Sequence, residues 1–455
     1  MLSRGRVLIA PAYLFACLIL GGSAQGIWQN MILQLTGVAI ITWATFDKDD
    51  EPIERAGTAL LTLLIIAIAV VAIQWIPLPP AVWSHLGPRT AVATGIGALG
   101  LAIPPEPLSL TPAAGLDSLL KLIPPLALFC AMLRRAYRPQ WLAIALIAAA
   151  IGGIGLSALQ VASFRPDNAD QSAWYLYEDT NLGKGVGFFA NADHMATLLI
   201  ICIPFLAAMV AAGERASVQR YSALVAVAAG LAVVIIVGLA LNGSLAGYGL
   251  ALPVMAASAL IVLRRRSRLR LWILGATAAL LIGAVTALEI TPIGSRTVGE
   301  HATTSVQSRV EILSTTWEAI REFMPFGSGL GSFQSVYPLY ERTDRVTSTY
   351  VVHAHNDYAE LALELGVAGT ILMLLFVMWW TFASWKVWRT AEASPFARAA
   401  SIASAAILIH SLVDFPLRTA AISTCFAMCL AFLARQPLTP IRATADLRRT
   451  RHVRI

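Results

Sequence analysis

Charge is what this sequence has least of. Only 13% of its 455 residues are Asp, Glu, Lys or Arg, about half the share found in soluble domains. With 57% of residues hydrophobic, a soluble globular fold is excluded and an all-α polytopic membrane bundle is expected. Cysteine is scarce too. Cys17, Cys130, Cys202, Cys425 and Cys429 all sit in apolar stretches, which excludes a disulfide framework and a thiolate metal site. The first apolar stretch, about residues 7–24, lacks a small-residue cleavage pattern and runs directly into further apolar segments. It therefore reads as a first spanning helix rather than a signal peptide. No repeat of 20–50 residues is sustained, and no soluble domain is appended.

What is abundant is apolar runs long enough to cross a bilayer, which needs about 20 residues per helix. Twelve spans are expected, near 7–24, 28–46, 56–76, 114–133, 141–162, 191–212, 221–241, 246–263, 271–290, 357–386, 399–414 and 417–434. The net charge of +7 does not imply nucleic acid. Most of the Lys and Arg lie in alternate connections: Lys48 and Arg55, Arg134, Arg135 and Arg138, Arg264 to Arg270, Lys386 and Arg389, and the tail. That asymmetry sets orientation in a membrane and puts both termini in the cytoplasm. The chain divides into helices one to nine (1–290), a large periplasmic loop (291–356), helices ten to twelve (357–434) and a basic cytoplasmic tail (435–455). Six of the seven histidines fall on the outer side, only His452 being inside. Histidine is suited to proton transfer near neutral pH, so the chemistry looks outward.

Within the loop, Val306, Val310, Leu313, Trp317 and Ile320 recur at helical spacing. An amphipathic helix over 305–323, lying along the outer membrane face, accounts for that pattern. It carries Arg309, Arg321 and three glutamates that could pair with them. The glycine-rich run 326–331 has no P-loop lysine and more simply bends the chain. The Asp47–Asp50 turn has D-x-D spacing but reads as a solvated inner turn. The densest signal is His353-Ala354-His355-Asn356-Asp357-Tyr358-Ala359-Glu360, which leads into the tenth span. Asn356 or Asp357 can cap that helix. An N-terminus favours a bound anion and a neutral imidazole beside it, which suits His355 to general-base work. H-x-H metal chelation by His353 and His355 is an alternative, as is simple anchoring at the interface. Glu360 and Glu364 share a helix face, where intramembrane carboxylates commonly face a partner or a wet cavity. His410 and Asp414 are four apart and can neighbour one another if the eleventh helix persists.

These residues resemble the O-antigen ligase and polymerase family. The resemblance rests on Ser308-Arg309-Val310-Glu311, Trp317 to Ile320, Pro325 to Gly331, His353 to Tyr358, Glu364-Leu365-Gly366, and the flanking Phe188 to Asn191 and His410 to Phe415. It implies a metal-independent, cofactor-free glycosyltransferase of the bacterial inner membrane, acting at the periplasmic face. The implied donor is a glycan on undecaprenyl pyrophosphate. The implied acceptor is a hydroxyl of lipid A core, of another glycan (as in O-antigen or exopolysaccharide polymerases) or of a protein. The resemblance makes His355 the base and Arg309 the pyrophosphate ligand. His353, Asn356, Arg296, Lys184, Asn191, Glu364, His410 and Asp414 are expected to bind substrate or support the site. One departure stands out. A family arginine between two spans is replaced by Leu245 in the turn 242–247, so Arg296, Lys184 or Arg165 would have to supply the charge. A transporter is the competing class. It calls for ionisable residues in mid-span, where this chain offers mainly Lys121.

Overall fold

A computed structural model of the chain describes residues 6–25, 27–46, 52–166, 173–214, 217–263, 292–344, 346 and 350–435, with side chains omitted over 292–307. The ninth span, the Asp47–Asp50 turn and the tail beyond 435 lie outside the described residues. The described chain is helical, and its sheet is one antiparallel pair, β1 (Pro77–Leu78) with β2 (Glu106–Pro107). The helices are α1 (Ile9–Leu20), α2 (Trp28–Phe46), α3 (Arg55–Gln74), α4 (Pro80–Trp83), α5 (Arg89–Ala98), α6 (Pro112–Leu120), α7 (Ile123–Arg134) and α8 (Pro139–Ser163). They continue with α9 (Ala192–Gly213), α10 (Val218–Asn242), α11 (Leu245–Val262), α12 (Pro292–Phe323), α13 (Phe333–Val336), α14 (Asp357–Arg389), α15 (Pro395–His410) and α16 (Ala420–Ala434).

Every expected span among the described residues falls on a helix, but twelve crossings are not reproduced as twelve long helices. Seven described helical stretches are long and apolar enough to cross a membrane, counting α6 and α7 together, while α1, α15 and α16 are shorter apolar helices. The fourth expected span is two helices joined at Lys121 and Leu122, so Lys121 sits at a joint rather than in mid-helix. The loop helix is also longer than its apolar periodicity suggests. It runs as one 32-residue helix from Pro292.

Burial separates central from peripheral helices. α9 is buried along most of its length and packs against α15, α11 and α10. α3 and α10 leave Ile65, Ile66, Val227 and Val233 exposed, as helices apolar on all sides do when one side meets lipid. Connections sort into two ends. At one end the Arg135 guanidinium donates to the Trp43 and Ala44 carbonyls, and Arg435 to those of Met132 and Arg135. At the other, the connections after α1, α3, α8, α12 and α15 are bonded to one another.

The glycine-rich run has a defined task at that second end. α14 breaks at Gly366, whose φ of +60° is left-handed and whose missing Cβ would lie 2.2 Å from the Pro325 carbonyl. A break strands helix carbonyls that must find other donors. Ser328 N–H takes the Leu363 carbonyl and Gly329 N–H that of Glu364, both at 2.9 Å, and the Gln74 amide donates to Glu364 O at 3.0 Å. In return Val367 N–H donates to Pro325 O at 2.9 Å. The loop after α12 is thereby stitched to the first turns of α14, where the site residues reside.

Candidate functional site

Four element ends converge here: the start of α9, the α10–α11 turn, the segment before α14, and the connection after α15. Asn191 caps α9 by accepting from Asp193 N–H at 2.8 Å. The buried Asn242 amide donates to the carbonyls of Gly185 and Ala192 at 2.8 and 2.7 Å, which locks the α8–α9 loop to the end of α10. Ser244 caps α11, accepting from Gly247 N–H, and donates its own proton to Asp193.

Asn356 caps α14, its side-chain oxygen accepting from Tyr358 and Ala359 N–H at 3.0 and 2.9 Å. Of the two expected caps, Asn356 holds the position, and Glu360 reaches back to Ala354 N–H rather than to the cap residue. His355 is then forced to φ +48°, a left-handed conformation that is uncommon for a side-chain-bearing residue and concentrates at functional sites. That backbone turn aims the imidazole at Asp414. His355 Nδ1 lies 3.0 Å from Asp414 Oδ1, and because an ionised carboxylate only accepts, Nδ1 carries the proton. Nε2 is therefore the unprotonated nitrogen of the neutral ring, with no protein partner among the described residues and with the side chain 28% exposed.

Asp414 is fully buried. Burial alone would raise its carboxyl; the His355 hydrogen bond and the neighbouring His194 and His410 imidazoles outweigh burial and hold it below the ordinary carboxylate range. His194 Nε2 stands 3.5 Å from Oδ2, and Asn191 Nδ2 donates to the same oxygen at 3.5 Å. His410 and Asp414 are neighbours across the turn after α15, where Asp414 N–H donates to the His410 carbonyl at 3.0 Å, but their side chains are not hydrogen-bonded to each other. Thr197 Oγ donates to the Asp193 carbonyl, so His410 Nδ1, 2.7 Å away, must donate to Thr197. Phe415 packs among three imidazoles, with centroids 4.3 Å from His353, 5.0 Å from His355 and 5.2 Å from His194.

Arg309 projects from α12 to pair with Asp193, not with the glutamates of its own helix. It is a quarter exposed, so a guanidinium fork is available to an anion that can displace or share Asp193. Asp193 thus ties Arg309 to the Ser244 turn. The turn retains its capping serine, while Leu245 offers only an apolar side chain, 38% exposed.

A second charged layer lies behind His353. Its Nδ1 donates to Glu360 at 2.9 Å, and the Arg418 guanidinium faces Asp357 (3.4 Å), Glu360 (3.3 Å) and Glu364 (3.7 Å). Burial would lower the Arg418 pKa, but the three carboxylates more than offset it and hold the group charged. His353 and His355 thus turn their Nδ1 atoms to different carboxylates. Among the described residues no cluster of three or more His, Cys, Asp or Glu is placed to hold a metal ion.

His355, His353, Asn356, Asn191, Asp414, His410, Glu364 and Arg309 are brought together. Lys184 is exposed on the α8–α9 loop, one residue from the Gly185 carbonyl held by Asn242. Arg165 is exposed and bonded to the carbonyls of Ala162 and Phe164. Arg296 lies on α12, its side chain outside the described residues. Sequence reasoning missed Asp193, His194 and Arg418 as site members. His194 was visible as an outer histidine, and Arg418 follows the Asp414-Phe415-Pro416-Leu417 run.

Compared with known families, residues 230–374 match the model described as O-Antigen ligase. That stretch spans α11, α12, the glycine-rich loop, His355 and the first half of α14. No curated protein matches the chain.

Proposed function

From the O-antigen ligase domain that this membrane protein carries at residues 230–374, we propose that it transfers a glycan from undecaprenyl pyrophosphate to an acceptor hydroxyl at the periplasmic face of the inner membrane. The observation that supports this most is the His355–Asp414 pair, which in the neutral imidazole keeps the proton on Nδ1 and leaves Nε2 to accept. His355 Nε2 takes the acceptor proton as the hydroxyl oxygen bonds to the anomeric carbon. The bond from that carbon to the pyrophosphate oxygen breaks, and the leaving group departs with its electron pair. Arg309 meets the charge that develops on the pyrophosphate. Asp414 fixes the His355 tautomer and steadies the imidazolium, as a positioning residue. Lys184 adjoins Gly185, whose carbonyl is bonded to Asn242 at the start of the Leu245 turn, and that link supports it as the cation for the role left open by Leu245.

Ligase and polymerase share this chemistry and differ in acceptor. Loss of the gene separates them. Long polymer accumulating on the carrier with none on the core indicates a ligase, whereas accumulated single repeats indicate a polymerase. An unchanged carrier-linked pool together with unchanged surface glycan would refute the transferase reading.

A further inference from the structure

Between the third and fourth expected spans the chain makes a closed excursion. β1 and β2 pair at its base, Leu78 against Glu106, and α4 and α5 lie within it. That base belongs to the end of the bundle that holds the candidate site. Leu110 N–H donates to the Ser328 carbonyl at 2.9 Å, and the Arg89 guanidinium donates to the carbonyls of Leu108 and Gly327 and lies over the Phe323 ring. We propose that the tip of this hairpin, residues 91–103, inserts into the membrane leaflet on the site's side, which puts its base, and the glycine-rich loop bonded to it, at the bilayer surface.

Charge placement is the first argument. Arg89 is the only Asp, Glu, Lys or Arg from Pro77 to Pro105, and it is buried against the protein rather than turned outward. Beyond it the tip consists of Ala, Val, Gly, Ile and Leu, with Thr94 as its one polar side chain. Val92, Leu99 and Leu101 are 56%, 75% and 60% exposed, and a Cβ added at Gly95, Gly97 or Gly100 would meet nothing within 4 Å. Most of the tip therefore stands clear of the other described residues. A contiguous exposed apolar surface marks an interaction site.

Backbone bonding and continuity identify the partner as lipid. A chain in hydrocarbon must satisfy its polar groups internally. At the end of α5, Leu99 N–H donates to the Ile96 carbonyl at 3.2 Å, Gly100 N–H to that of Gly97 at 2.9 Å, and Leu101 N–H to that of Ile96 at 3.3 Å. Thr94 Oγ turns back to the Thr90 carbonyl at 2.8 Å. Exposed apolar side chains also flank the hairpin on both sides, Ile73 and Ile76 before it and Leu110, Leu116 and Leu120 after it. Both flanking stretches, α3 and α6–α7, are apolar enough to cross a membrane. α5 has 10 residues, about 15 Å at 1.5 Å per residue. That is half of a hydrocarbon core roughly 30 Å thick, so the tip enters one leaflet and does not span.

The test reconstitutes the full chain in phosphatidylcholine liposomes, with Leu99→Cys or Val92→Cys carrying an environment-sensitive fluorophore. Both native side chains are exposed, so the substitutions leave the packing intact. The native cysteines, four of them buried and Cys130 half-buried, are controlled by labelling wild type in parallel. Arg342→Cys, at an exposed loop position, is the aqueous reference. The probes at 92 and 99 should emit at shorter wavelength than the reference and be quenched by lipids bearing a nitroxide on the acyl chain, but not by aqueous iodide. The reference should show the reverse. Iodide quenching at 92 and 99 without quenching by the nitroxide lipid would overturn the proposal. Shielding from both quenchers would overturn it too, because a protein surface, such as a second copy of this chain, would then cover the tip. None of these readouts depends on glycan transfer, so the result stands apart from the transferase reading.

Discussion

Asp414→Asn separates positioning from proton transfer. The substitution keeps the volume of the buried side chain but presents either a carbonyl or an NH2 group to His355 Nδ1, now 3.0 Å from a carboxylate oxygen. It also removes the negative charge that steadies the imidazolium as the acceptor proton arrives. If the amide nitrogen faces His355, Nδ1 must accept, the ring proton moves to Nε2, and the base has no lone pair to offer. General-base catalysis is worth about 10²- to 10⁴-fold. The expected loss is therefore about 3–5 kcal/mol of transition-state stabilisation, at roughly 1.4 kcal/mol per factor of ten. The assay is transfer of glycan from purified lipid-linked donor in proteoliposomes, with protein amount normalised. Asp414→Asn should lose turnover while donor affinity changes little, because Arg309 and Asp193 are untouched. Turnover within about 3-fold of wild type would show that Asp414 does not orient the base, and the tautomer argument would fail.

Asp193→Asn should free Arg309 from its ion pair and tighten donor binding severalfold, whereas Arg309→Ala should weaken it; isothermal titration with a soluble isoprenyl pyrophosphate reads both. Gly366→Ala forces a Cβ to within 2.2 Å of Pro325 O at a left-handed φ and should destabilise the protein by at least about 1–2 kcal/mol, seen as a lower thermal midpoint in detergent. Acid sensitivity has a defined sign at Asp414. Its depressed pKa contributes stability that is present above the unfolded value near 3.9 and is lost only as pH falls through the lower folded value. The stability gap between wild type and Asp414→Asn should not narrow between pH 7 and pH 5, and narrowing in that range by thermal unfolding would contradict the assignment.

Span positions were legible because an apolar run of sufficient length has few alternatives, and each described expected span lies on a helix. Helix lengths were less so. The first half of α12 is polar, with no apolar periodicity to mark it, so the sequence pattern begins near Ser305 although the helix begins at Pro292. His355, Arg309 and the Asn356 cap were visible because their roles depend on local pattern. The His355–Asp414 pair joins residues 59 apart, and nothing local favours it over the i, i+4 neighbour His410. Arg418 was hidden for a related reason. One arginine after Pro416 reads as a loop charge, and only packing shows that it faces three carboxylates of α14. Asp193 opens an apolar helix as an ordinary first-turn acid would, so its hold on Arg309, 116 residues away, leaves no local trace.

The central claim is that His355 Nε2 removes the acceptor proton. Single-turnover transfer by purified wild type and His355→Ala, with donor bound to saturation, tests it most directly. The expected result is intact donor binding with transfer reduced at least about 100-fold. Transfer by His355→Ala at the wild-type rate, with the protein folded and the donor bound, would contradict it.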